Sequence, residues 1–137
     1  MMKLISHLLE WYAAMRNKPT SVLYVDDEET LRGLVQDQLS LEGFTVETAD
    51  DGDTAVDMVG KKTYDVVLLD VRMPRMSGIE VLKHMRQHKI YSRVIMLTGV
   101  DDLGVAVEAV KNGANDYLTK PYELMNLVKC IKRITAT

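Results

Sequence analysis

From Ser21 onward the chain alternates short apolar runs with longer stretches of helical spacing. Val22-Leu23-Tyr24-Val25, Phe44-Thr45-Val46, Val66-Val67-Leu68-Leu69, Val94-Ile95-Met96-Leu97 and Tyr117-Leu118 are the strand candidates. The first, third and fourth are continuously apolar, the pattern of parallel strands buried on both faces. Between them Leu31, Leu34, Val35 and Leu39 form one helical stripe. Leu103, Ala106, Val107 and Val110 form another, and Leu124, Leu127, Val128 and Ile131 a third. Gly43 and Gly113 sit where helices should stop, Asp53 is placed to cap a helix over residues 54–61, and Ser77-Gly78-Ile79-Glu80 matches a capping box. Five strands alternating with five helices predict an α/β domain around a mostly parallel, doubly wound sheet.

Residues 1–20 stand apart from residues 21–134. Ile5, Leu8, Tyr12 and Met15 follow a 3-4-3 spacing, with Leu4, Leu9 and Trp11 alongside, and the segment ends at Pro19. This predicts an additional amphipathic helix. Two heptads are too few to specify a coiled coil, so two readings stay open: packing on its own domain, or a homodimer through this helix. A membrane-surface role ranks behind both, because the basic excess is small.

Bulk properties narrow the classes. At 137 residues and 47% apolar content, the chain suffices for one domain with a real core. A formal charge of −3 argues against direct nucleic-acid binding. No run approaches the roughly 20 apolar residues of a membrane span, and no signal peptide is expected, which points to the cytoplasm. The single Cys130 has apolar neighbours and is expected to be a packed, inert thiol. His84 and His88 are expected to be solvated, and His7 has no ligand partner at helical spacing. Met73 and Met76 are read as packing.

In an open parallel sheet, functional groups gather beyond the carboxyl ends of the strands. Asp26 and Asp27 follow the first strand, Asp70 ends the third, Thr98 ends the fourth and Lys120 follows the fifth. Three carboxylates, a hydroxyl and an ammonium thus converge on one edge. Any one of them has a bland reading as a strand-end or helix N-terminal residue. Together they describe a site in which a hard divalent cation relieves carboxylate repulsion and a carboxylate can act as nucleophile toward phosphorus. Lys120 and Thr98 would then meet the oxygens of the transferred group.

From about Ser21 to Ile134 the sequence resembles the response-regulator receiver domains. The likeness rests on Val25-Asp26-Asp27-Glu28, Leu69-Asp70-Val71-Arg72-Met73-Pro74 with Met76-Ser77-Gly78, Thr98-Gly99, and Tyr117-Leu118-Thr119-Lys120-Pro121, in that order. The resemblance implies a flavodoxin-like fold with strand order 2-1-3-4-5. It implies Asp70 as phosphoacceptor and Mg²⁺ (or Mn²⁺) held by Asp26, Asp27, Asp70 and the backbone carbonyl of Arg72, Asp26 partly through water. It further implies Lys120 as the phosphoryl contact, Thr98 and Tyr117 as a switch pair, and a cis Lys120–Pro121 peptide. The expected donor is a sensor histidine kinase or a histidine phosphotransfer protein. Activation would alter the face built from the domain's fourth helix, fifth strand and fifth helix.

Two positions depart from the usual pattern. Gly99 replaces an alanine, and Arg72 puts a long cation beside the acceptor, where it could shield an acyl phosphate or pair with an acidic neighbour. Only three residues follow Ile134, so the expectation is a stand-alone switch with an unidentified output protein and no catalysis beyond its own phosphorylation and dephosphorylation. The alternative is a receiver excised from a hybrid kinase or transcriptional regulator. A Mg²⁺-dependent phosphatase with an aspartate nucleophile would want a second acid at position 72, and Glu28 and Glu29 would repel the phosphate of a flavin.

Overall fold

A computed structural model describes residues 2–136. Its element order is α1 (Met2–Arg16), β1 (Ser21–Val25), α2 (Glu29–Leu41), β2 (Thr45–Ala49), α3 (Gly52–Lys61), β3 (Val66–Asp70), α4 (Gly78–Gln87), β4 (Arg93–Thr98), a 3-10 turn (Val100–Asp102), α5 (Leu103–Lys111), β5 (Asp116–Thr119) and α6 (Leu124–Thr135). The strands form one parallel sheet in the order β2-β1-β3-β4-β5, the doubly wound arrangement that the sequence predicts.

Strand residues alternate between two faces, so the apolar runs serve two cores at once. Leu23, Val25, Val67, Leu69, Val94 and Met96 pack with Ala55 and Val59 of α3 and with Val81, Leu82 and Met85 of α4. Val22, Tyr24, Val66, Leu68, Ile95 and Leu97 pack with Val35 and Leu39 of α2 and with Leu127, Val128 and Ile131 of α6. Burying the central strands on both sides fixes their register, and that register positions everything at their carboxyl ends.

Gly43 and Gly113 take φ values of +94° and +103° just after α2 and α5, where a left-handed residue stops a helix cheaply. The cap of α3 is Asp51 rather than Asp53. The helix starts at Gly52, and the Asp51 carboxylate accepts the Thr54 N–H at 2.7 Å, leaving Asp53 in the first turn. At α4 the Ser77 hydroxyl accepts the Glu80 N–H at 3.2 Å. Among the described residues no return bond from the Glu80 side chain is found, so half of the capping box forms.

The α5 stripe is buried only in part. Ala106, of the expected stripe, and Ala109 are buried and Val105 packs partly against the core, while Leu103, Val107 and Val110 are exposed. The helix is thus rotated so that its alanines and Val105 face inward. Leu34 of α2 is exposed in the same way. The edge strand β2 starts one residue later than Phe44 and runs on to Ala49, with Thr45 exposed.

The N-terminal segment is helical, as its spacing predicts, but it does not pack on its own domain. Leu4, Ile5, Leu8, Leu9, Trp11, Tyr12 and Met15 are all at least 55% exposed. Among the described residues no helix is long and apolar enough to cross a membrane. Cys130 is a buried free thiol, and burial pushes its pKa up to about 11, leaving it unreactive at neutral pH. His84 is half-buried and stacks on the exposed His88, while His7 lies 3.9 Å from Glu10 on the exposed helix.

A candidate acidic phosphoacceptor site

The sheet register assembles the site. Val25 lies opposite Leu69, and Asp70 lies opposite Leu97, so Asp26 emerges beside Asp70 one step beyond the β1–β3 ladder. Thr98 lies opposite Thr119, which brings Lys120 to the same edge. The Lys120 N–H donates to the Thr98 carbonyl at 2.6 Å, extending that ladder past the strands, and the Lys120–Pro121 peptide is cis.

Asp26, Asp27 and Asp70 each offer an oxygen within 4.8 Å of the other two. Asp26 and Asp70 are buried and Asp27 is exposed. The Lys120 ammonium sits 3.2 Å from Asp70 and 3.7 Å from Asp26. Each Asp26 oxygen already has a partner: the Tyr24 hydroxyl donates to one at 2.8 Å and the Glu28 N–H to the other at 2.9 Å. Asp27 and Asp70 are therefore the freer carboxylates. This all-oxygen donor set, with one open side, fits a hard cation such as Mg²⁺.

Burial and neighbouring charge pull against each other at Asp70 and Lys120. Burial pushes the Asp70 carboxyl above its ordinary value; Lys120 opposes this, the Asp26 charge adds to it, and the Arg72 N–H opposes it. Burial works against the charge on Lys120, but Asp70 and then Asp26 outweigh it and its pKa is raised. The ammonium is therefore secure at neutral pH. Burial also raises the pKa of Tyr24, with Tyr122 and Asp26 adding to it, so the phenol remains a donor to Asp26.

Close approach at Gly78 holds the loop after β3 against the acceptor. Its N–H donates to the Val71 carbonyl at 3.0 Å, and a Cβ there would lie 2.3 Å from the Asp70 carbonyl oxygen. Only glycine lets α4 begin this close to β3. Met73 and Met76 pack against the core, as read from the sequence.

Thr98 is fully buried, and its hydroxyl reaches the Leu118 carbonyl at 3.5 Å, the outer limit of a hydrogen bond. Tyr117, on β5, is exposed, at 38% of the residue. Arg72 takes the second of its two expected roles. Its guanidinium pairs with Asp102, Nε donating at 2.7 Å and the adjacent nitrogen binding the other carboxylate oxygen. That partnership keeps Arg72 protonated and lowers the Asp102 pKa.

Two functional neighbours escaped the sequence reading. Tyr24 stands two residues before Asp26 in a strand, hence on the same face, and that period could have identified it. Asp102 carries no comparable signal, because its meeting with Arg72 depends on how the 3-10 turn folds back over β3.

A family profile for the response regulator receiver domain matches residues 22–132. The chain is 40% identical over 112 residues to the regulatory protein AtoC of Escherichia coli, covering 82% of this chain and 24% of AtoC. It is 40% identical over 115 residues to the alkaline phosphatase synthesis transcriptional regulatory protein PhoP of Bacillus subtilis, covering 82% and 48%. Among solved structures, FixJ-N aligns at 34% identity and a TM-score of 0.80, covering 86% of this chain and 94% of that one. The chemotaxis protein CheY4 of Vibrio cholerae aligns at 34% identity and 0.80, covering 85% and 99%. The chain thus spans less than half the length of these two curated relatives.

Proposed function

The chain belongs to the response regulator receiver domain family, and on that premise we propose that it is a phosphoacceptor switch loaded on Asp70. Residues 21–134 form the switch, and residues 1–20 supply an appended helix, α1, and a linker. The observation that carries this reading is the Lys120 ammonium 3.2 Å from a buried Asp70 within a three-carboxylate cluster. The donor is the phosphohistidine of a sensor histidine kinase or histidine phosphotransfer protein. An Asp70 oxygen forms the new P–O bond as the P–N bond breaks, and the bonding electron pair leaves with the imidazole nitrogen. Lys120 meets the phosphoryl oxygens as charge spreads over them. Asp26, Asp27, Asp70 and the Arg72 backbone carbonyl would hold Mg²⁺ (or Mn²⁺), with Asp26 the carboxylate already engaged by Tyr24 and Glu28. The bound ion supplies neutralisation of the carboxylate and phosphoryl charge.

Loading draws the Thr98 hydroxyl, weakly held at Leu118, toward the phosphoryl group and lets Tyr117 turn inward behind it. The output is a change of protein contacts on the face of α5, β5 and α6, where Leu103, Val107, Val110 and Tyr117 are exposed. The only covalent chemistry is self-directed, phosphoryl uptake and hydrolysis, in the cytoplasm. A phosphatase is disfavoured because Arg72, held protonated by Asp102, is no general acid. The exposed apolar side of α1 pairs with its copy in a symmetric dimer. A second reading, the receiver of a longer transcriptional regulator, is favoured by the relatives AtoC and PhoP, of which the chain spans 24% and 48%.

Treatment with acetyl phosphate and Mg²⁺, followed by intact-mass measurement, tests the assignment. One phosphoryl group on the wild type and none on Asp70→Asn is the expected result. Incorporation at wild-type level in Asp70→Asn would overturn it.

A further inference from the structure

The Arg72–Asp102 pair joins two segments that have different jobs. Arg72 lies two residues beyond the acceptor, while Asp102 closes the 3-10 turn between β4 and α5. The Asp102 side chain is only 6% exposed and the Arg72 side chain 76%, so a surface guanidinium is plugged onto a buried carboxylate. Asp102 also anchors its own turn. Its N–H donates to the Gly99 carbonyl at 3.0 Å, and the Gly99 N–H faces its carboxylate.

The pair also stands in the wall of the acceptor pocket, a cavity of about 440 Å³ whose lining includes Asp70, Arg72, Asp102 and Lys120. A second cleft of about 470 Å³ is lined by Val71, Met73, Pro74, Ser77 and Val105 together with the same two residues. Arg72 and Asp102 line both. Of the cations lining the acceptor pocket, Lys120 is already engaged by Asp70 and Asp26. Arg72 is the other.

We propose that this ion pair is a latch: it fastens the 3-10 turn to the acceptor loop in the unloaded protein, and a phosphoryl group on Asp70 competes for Arg72 and releases the turn. The proposal rests on Asp70 being the acceptor. A phosphoryl group brings additional negative charge and oxygens in the geometry that a guanidinium binds through two nitrogens. When Arg72 changes partner, Asp102 loses both the guanidinium that covers it and its tie to the acceptor loop. The turn then lifts, carrying Val100 and Leu103, both exposed at the edge of the α5 face. Local charge at the acceptor is thereby converted into a change of apolar surface. Gly99 suits this role: its φ of −73° is ordinary, and a Cβ there would meet Asp102 at 3.5 Å, so the latch and not glycine geometry holds the turn.

The test uses the full chain as wild type, Arg72→Ala, Arg72→Lys and Asp102→Asn, each with and without acetyl phosphate and Mg²⁺. Hydrogen exchange of the amides of residues 99–103 reports the turn, and the Arg72 Nε–H resonance reports its partner. Intact mass on the same samples reports loading. In the unloaded state, Arg72→Ala and Asp102→Asn should exchange on the order of 10-fold faster at the turn than wild type. Arg72→Lys, which keeps the charge but not the paired geometry, should fall between them. Loading should speed exchange in wild type, shift its Nε–H resonance, and add little in Arg72→Ala or Asp102→Asn. Unchanged turn exchange and an unmoved Nε–H signal in wild type whose mass shows the phosphoryl group would overturn the latch. Equal exchange in unloaded wild type and Arg72→Ala would overturn it as well. Absence of any phosphoryl mass would instead overturn the acceptor reading, while the unloaded comparison still decides whether the pair holds the turn.

Discussion

Neutralising the acceptor should stabilise the protein when no divalent metal is present. In Asp70→Asn the side chain keeps its shape and loses its charge. The charge it removes faces Asp26 and Asp27, each within 4.8 Å, and Lys120 at 3.2 Å. At an effective dielectric of about 20, each carboxylate pair repels by about 3–4 kcal/mol and the lysine attracts by about 5 kcal/mol. Two repulsions exceed one attraction by about 2 kcal/mol. Screening of the exposed Asp27 removes about half of its share, and the burial of Asp70 adds a cost of similar size in the opposite sense. The net gain expected for Asp70→Asn is about 1–2 kcal/mol, or roughly 3–8 °C in melting temperature for a chain of this size.

The pH dependence carries the same sign. Burial raises the folded-state pKa of Asp70 above the ordinary aspartate value. A raised carboxyl binds its proton more tightly when folded, so folding is favoured at low pH and that favour is lost as pH rises through the folded-state value. The stability gap between Asp70→Asn and wild type should thus be widest near about pH 7 and close as acid protonates Asp70. Urea melts in EDTA across that range measure it. A variant less stable than wild type at neutral pH would refute the reasoning, because Lys120 would then outweigh the repulsion and burial together.

Asp27→Ala should abolish the rise in melting temperature that Mg²⁺ gives the wild type, a rise equivalent to about 1.4 kcal/mol when the ion is at ten times its dissociation constant; an unchanged Mg²⁺ shift would place the ion elsewhere. Gly78→Ala should cost about 1–2 kcal/mol in urea melts, the strain of a Cβ 2.3 Å from the Asp70 carbonyl exceeding the gain in helix propensity. A variant as stable as wild type would show that the approach relaxes freely. Light scattering should find the intact chain dimeric and a shortened chain beginning at Lys18 monomeric, since α1 exposes seven large apolar residues from Leu4 to Met15; a monomer in both would refute pairing through α1.

How much was legible follows from where the information lies. The strands could be read because Val22–Val25, Val66–Leu69 and Val94–Leu97 are apolar without interruption, and only burial on both faces makes such runs. The site could be read because strand order and register alone bring Asp26, Asp70, Thr98 and Lys120 to one edge. The cap of α3 was misplaced by two residues because Asp51 and Asp53 are chemically equal; the backbone, extended at Asp51, decides between them. The face of α5 departs from expectation for a different reason. Leu103, Val107 and Val110 make a hydrophobic stripe yet stay exposed, while Ala106 and Ala109 are buried and Val105 packs partly against the core, so hydrophobicity alone does not select the buried side.

The same seating links fold to function. A helix seated through Ala106, Ala109 and a partly buried Val105 has modest side-chain volume anchoring it, while Leu103, Val107 and Val110 remain exposed. Its amino end is preceded by the turn that Arg72 ties to the acceptor loop. The clustered carboxylates and Lys120, in contrast, stand at the ends of β1, β3 and the β4–β5 ladder, whose side chains are locked in two cores. Rigid strands therefore hold the charges proposed to capture a phosphoryl group, and the element beside them is held by two alanines, Val105 and one ion pair. That division fits a switch: the chemistry needs fixed geometry, and the signal needs one element that a modest change of charge can move.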